Sequence, residues 1–186
     1  MLNARYFTLA GIVLAAAAMR LIPHPPNFTP IAAMALFGGA YFSSKKGAFA
    51  VPLSAMVLSD LILGFVIYDY GWFHATMPFI YGSFVLTVCL GFWVRHRRTP
   101  LRIGLAALIS AVLFFVISNF GVWLAGGLYP MTPDGLAACY TAAIPFFRHT
   151  MAGNAVYTIV LFGGFTLMQR YFTMLREEPA SVMVRI

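Results

Sequence analysis

A chain of 186 residues in which 61% are hydrophobic and 9% are charged has too few charges to cover a water-soluble domain, where about a quarter of residues are charged. Its mean hydropathy of +0.85 marks residues 1–186 as one integral membrane domain. The net charge of +7 does not make it a nucleic-acid binder, because its basic residues lie between apolar runs, where anionic lipid headgroups are the simpler partners.

Apolar runs broken by charge or by Pro and Gly clusters predict six transmembrane helices, over about 6–22, 28–43, 47–68, 77–94, 103–125 and 151–172. The first run has two readings. Its basic start, apolar middle and small residues suit a cleaved signal peptide. They equally suit a retained helix whose small residues, Gly11, Ala15 and Ala18, let another helix approach closely. The second run is short and opens with "PHPPNFTP", whose prolines forbid regular helix up to Pro30. Irregular backbone at membrane depth must be covered by protein or line a watery cavity. The segment 133–147, with Asp134 near its start, is too short to cross and reads as an outer amphipathic or re-entrant helix.

With six spans, one side of the membrane holds Arg5, Lys45, Lys46, Arg95, Arg97, Arg98, Arg102, Arg170, Arg176 and Arg185, and the other only Arg20 and Arg148. The positive-inside rule makes the basic side, with both termini, cytoplasmic. The outer third of the bundle then collects most of the unusual polar groups. Asp60 and Tyr81 lie at helix depth there, and Asn119 shares a helix face with Phe115 and Trp123. Asn154 is expected near the outer end of span six, while His24, Asn27, Asp69, His74 and Arg148 stand in outer loops or helix ends.

A carboxylate within a membrane helix costs about 2.5–3.5 kcal/mol and faces a partner or a cavity. Arg148 is the expected partner of Asp60, either as a buried pair that only pins helices or as part of a ligand pocket. The candidate substrate-binding residues are His24, Asn27, Asp60, His74, Tyr81, Asn119, Trp123 and Arg148, since aromatic walls with a few convergent polar groups describe a small-molecule site. The chain has no GxSxG, HExxH or Walker A sequence, so no enzyme chemistry and no resident cofactor is expected. A metal-dependent intramembrane enzyme is the third reading, after a transporter and a non-transport scaffold or assembly subunit.

The six-helix layout and "FTPIAAMALFGGAYF" resemble the S components of energy-coupling-factor vitamin transporters. More closely, "PHPPNFTPIAAMALFGGAYF", "SDLILG", "HATMPFIYGSF", "SNFGVW" and "AAIPFFRHT" resemble an uncharacterised bacterial inner-membrane family. That family is similar to the solitary, S-component-like cobalamin transporters of Gram-negative bacteria. The resemblance covers about 20–165. It implies an S-component-like bundle and uptake of a vitamin-like molecule, cobalamin among the candidates. It also implies a pocket at His24, Asp60, Tyr81 and Arg148, and an energy-coupling transmembrane subunit docking on the Gly11, Ala15 and Ala18 face. Those transporters ligate cobalt with a cysteine where this chain reads "HATMPFIY". Either His74 ligates the cobalt of a bound cobalamin, as a neutral imidazole does, or the substrate is another molecule.

Overall fold

The computed structural model describes residues 4–68 and 73–177; Asp69 and Arg185 lie outside them. The described residues are helical throughout, joined by turns and irregular connections. Helix α1 spans Ala4–Ala18 and tightens into a 3-10 turn at Met19–Leu21; α2 is Ile31–Tyr41. Helix α3, Lys45–Ile62, runs on through a π turn at Leu63–Ile67. Then come α4, Met77–Arg95, and α5, Pro100–Ala125. Helix α6, Pro133–Thr158, passes through a second π turn, Ile159–Gly163, into α7, Gly164–Tyr171. Five of these helical stretches are long and apolar enough to cross a membrane, and α2 is a shorter apolar helix. The chain is thereby marked as a multi-pass membrane protein.

Two sequence expectations are corrected. The run at 28–43 is not a full span but the eleven-residue α2, about 15 Å from first to last residue at the helical rise. It stands at the centre of the bundle, with Ala33 to Phe37 fully buried, and packs against α1, α3, α4, α5 and α6. The segment 133–147 is not a separate helix but the first half of α6. Thr132 caps it by accepting from the Gly135 amide, Pro133 takes the first turn, and Pro145 lies inside it. A proline removes one helical hydrogen bond, yet the helix continues because α5 holds both halves. The Cys139 thiol donates to the Asn119 carbonyl at 3.4 Å and the Tyr140 hydroxyl to that of Val116 at 2.6 Å. Phe147 packs tilted against Phe115, ring centroids 4.7 Å apart.

Helix α2 can be so short because its C-terminal end is completed by α1, α4 and the α4–α5 connection. A helix leaves its last four carbonyls without intrahelical partners. Here the Gly38 carbonyl accepts from the Phe42 amide at 3.2 Å. The Gly39 carbonyl accepts from Arg95 at 2.8 and 3.1 Å, that of Ala40 from Arg98 at 3.1 Å, and that of Tyr41 from Arg5 at 3.1 Å. Three cations around the negative end of the helix dipole also favour this arrangement. Glu177 ties two of them together, at 2.9 Å from Arg5 and 2.6 Å from Arg98. Arginines that the sequence places at the headgroups are therefore partly the capping set of the central helix.

Helices α2 and α4 meet at Gly39 and Gly91. A Cβ on Gly39 would fall on the Val88 carbonyl oxygen and 2.8 Å from the Gly91 Cα, so side chains are excluded there by backbone. Around this contact the core is aromatic at the basic end, where Phe37, Tyr41, Phe162 and Phe165 pack edge-on or tilted within 4.8–5.7 Å.

Candidate functional site

The site is built at one height on three helices. Arg20 stands fifteen residues beyond Arg5, Asp60 fifteen beyond Lys45, and Tyr81 fourteen before Arg95. Each is therefore about 22 Å along its helix from the basic end, and the three side chains meet. An Arg20 guanidinium nitrogen lies 2.6 Å from Asp60 Oδ1, and the Tyr81 hydroxyl donates to Asp60 Oδ2 at 2.7 Å. Arg20 also donates to the Ser59 hydroxyl, which itself donates to the Met56 carbonyl at 2.9 Å. The Arg20 and Asp60 side chains are only 10% and 13% exposed. The Arg20 Nε is buried with no hydrogen-bond partner in the structure.

This corrects the expected partner of Asp60. It is Arg20, not Arg148. Helices α1 and α3 pack together, and the 3-10 turn at Met19–Leu21 ends α1 level with Asp60. Arg148 instead lies on an exposed face of α6, while its neighbour Phe147 takes the α5 side. Sequence reasoning passes over Arg20 because it sits at the edge of an apolar run next to a proline-rich loop. The equal spacing from the basic end is the signal that finds it.

Segment 22–30 descends from the end of α1 to the start of α2. Residues 22–27 are exposed, whereas Phe28 is held against α6, its ring 5.8 Å from that of Tyr157 and its backbone 3.0 Å from where a Cβ on Gly153 would lie. Pro30 precedes α2, and no side chain caps the helix there. His24 is exposed on this segment, its Nδ1 2.6 Å from the Ile22 carbonyl. Asn27 has φ 64, a left-handed conformation that asparagine tolerates better than most residues, so it serves the turn itself.

The remaining candidates lie apart. The Asn119 amide donates back to the Phe115 carbonyl on its own helix at 2.8 Å. The Trp123 indole donates to the Pro130 carbonyl at 3.0 Å, fixing the α5–α6 connection. His74 is exposed before α4, with Nδ1 2.7 Å from the Thr76 hydroxyl. Asn154 is not near an outer helix end but in the middle of the long α6–α7 rod, buried and donating to the Ala107 carbonyl and the Ser110 hydroxyl at 2.6 and 2.8 Å. Among the described residues no group of three His, Cys, Asp or Glu side chains could hold a metal ion.

The arrangement is a neutralised, nearly dry Arg–Asp–Tyr cluster beside an exposed, non-helical segment at the end of the bundle away from the arginines. It can bind or pin, since a guanidinium, a carboxylate and a phenol offer directional donors and acceptors. No curated protein and no solved structure matches the chain. Residues 1–178 match a family of unknown function, DUF6580, and the chain belongs to that family.

Proposed function

We propose that the chain is a substrate-binding membrane transporter, solitary or as a subunit. It takes up a vitamin-like small molecule through a cleft at the end of the bundle opposite the arginines. The observation that carries this reading is the exposed, irregular segment 22–30, which leads down to an α2 that begins partway through the bundle. Non-helical backbone at membrane depth persists only where protein covers it or water reaches it, and broken helices at mid-depth are where transporters bind substrate. The Arg20–Asp60–Tyr81 cluster stands beside this segment. The resemblance of "PHPPNFTPIAAMALFGGAYF" and "HATMPFIYGSF" to S-component-like transporters supports a vitamin-like substrate. His74 leaves its Nε2 for a metal such as the cobalt of cobalamin. The charge asymmetry supports a bacterial inner-membrane location with both termini cytoplasmic. Gly11, Ala15 and Ala18 are exposed on α1, which suits docking of an energy-coupling subunit.

A scaffold reading draws on a different observation: both Asp60 oxygens are already paired within the chain. Mass spectrometry of small molecules copurifying from native membranes, together with uptake in a vitamin-dependent strain, separates the two. A transporter loses uptake in Asp60→Asn and His24→Ala at normal membrane levels. Cobalamin is tested first, with His74→Ala as the probe of metal ligation. Full uptake in both variants overturns the pocket, and a strain whose growth on no vitamin depends on the protein overturns the transporter.

A further inference from the structure

A second feature lies on the other side of the molecule. Between α5 and the α6–α7 rod runs a groove of about 860 Å³, mostly apolar but for Thr158 and Thr166, and bounded at the basic end by Arg98 and Arg170. It is continuous with the membrane-facing surface. Ile159 and Leu167 on its edge are 71% and 52% exposed, and a Cβ on Gly104 or Gly163 would meet nothing within 4 Å. The π turn Ile159–Gly163 lies along it. Such a turn inserts one residue per turn relative to α-helix and shifts the rows of side chains on either side of it.

The two arginines differ in their engagement. Arg98 caps α2, pairs with Glu177 at 2.6 Å and lies over the Tyr41 ring at 4.6 Å. Arg170 has no acidic partner among the described residues. On α5 the groove runs from Pro100 to Ala111, about 17 Å at the helical rise, with Arg98 just before the helix. One leaflet of a roughly 30 Å hydrocarbon core is about 15 Å deep. The groove thus has the length of an acyl chain reaching from the headgroup level past the midplane, with an uncompensated cation where the phosphate of that lipid would sit. Basic pockets between helices at this depth select anionic headgroups. An apolar partner helix would use the groove walls but leave the Arg170 charge unmatched.

We propose that this groove is a specific site for one anionic phospholipid, with its phosphate on Arg170 and the free edge of Arg98 and one acyl chain along α5. The test uses the full chain in detergent, titrated with phosphatidylglycerol or phosphatidylcholine and read by native mass spectrometry. One phosphatidylglycerol binds in preference to phosphatidylcholine. Arg170→Gln lowers phosphatidylglycerol affinity about five-fold, the effect of one cation near a headgroup surface, and lowers that of phosphatidylcholine less, because the choline cation already offsets its phosphate. Gly104→Phe fills the groove from an open position and removes the one-to-one adduct of either lipid. Arg98 is left intact because it caps α2. A thermal scan of both variants separates loss of the site from loss of the fold. Equal binding of the two lipids, an adduct indifferent to both variants in folded protein, or a copurifying protein chain that Gly104→Phe displaces with no lipid preference overturns the proposal.

Discussion

Removing the Asp60 carboxylate tests the cluster directly. Asp60→Ala deletes the 2.6 Å ion pair to Arg20 and the 2.7 Å bond from Tyr81. It leaves a guanidinium in a site where its side chain is 10% exposed, still holding Ser59 but with one charge uncompensated. Breaking a buried pair from one side costs about 3–5 kcal/mol. The orphaned Tyr81 hydroxyl is part of that cost, about 1–3 kcal/mol of it if it finds no water. Arg20→Met costs a similar amount from the other side. The double variant Arg20→Met with Asp60→Leu regains most of it, because well-packed apolar replacements of buried pairs are neutral or stabilising. Arg148→Ala, at an exposed position, changes stability by under about 0.5 kcal/mol. Cys139 is 2% exposed and reports unfolding by thiol labelling in detergent, in a Cys89→Ala background that removes the exposed thiol. At this chain length 3–5 kcal/mol corresponds to a fall of about 6–20 °C in Tm. An Arg148→Ala variant as unstable as Arg20→Met, or a double variant no better than the worse single, would refute the assignment of Arg20 as the partner.

Further outcomes follow from other contacts. Gly39→Ala drives a methyl into α4 backbone and lowers stability by about 1–3 kcal/mol or more, whereas Gly11→Ala, inside α1 with nothing near its Cβ, raises it by about 0.5–1 kcal/mol in the same thermal scan. Glu177 accepts from Arg98 and pairs with Arg5, which holds its carboxyl below the ordinary carboxylate range against the opposing effect of burial. Because the folded value is the lower one, this contribution is complete above the ordinary range and is lost as pH falls through the depressed value. Hydrogen-exchange protection at 173–177, taken relative to the intrinsic rate at each pH, therefore falls on acidification, and Glu177→Gln removes that change in protection. Reporter fusions after Arg98 and after Pro130 report opposite sides of the membrane, inside and outside respectively; the same side for both contradicts the crossing order.

Which segments enter the bilayer is legible residue by residue, because the transfer free energy of an apolar run depends on the run itself. The long runs around 47–68, 77–94 and 103–125 become α3, α4 and α5 with their ends moved by a few residues. Tyr81 and Asp60 are legible for the same reason: a polar group in an apolar helix must find a partner wherever that helix packs. Which partner it finds is a property of packing. Arg148 and Arg20 are both basic residues near the same end of the bundle, and only the association of α1 with α3, and the turning of Arg148 to an exposed face of α6, chooses between them. The length of α2 is decided partly the same way. Its late start at Ile31 is legible in the prolines up to Pro30, but the set that completes its last carbonyls, Arg5, Arg95 and Arg98 from parts of the chain distant in sequence, is not. The union of 133–147 with the last span likewise depends on α5 supplying contacts on both sides of Pro145. Hydrophobicity is additive along the chain and can be read locally. Charge pairing and helix termination are settled between helices, because a buried charge or an open carbonyl is stabilised by whichever donor the packing delivers.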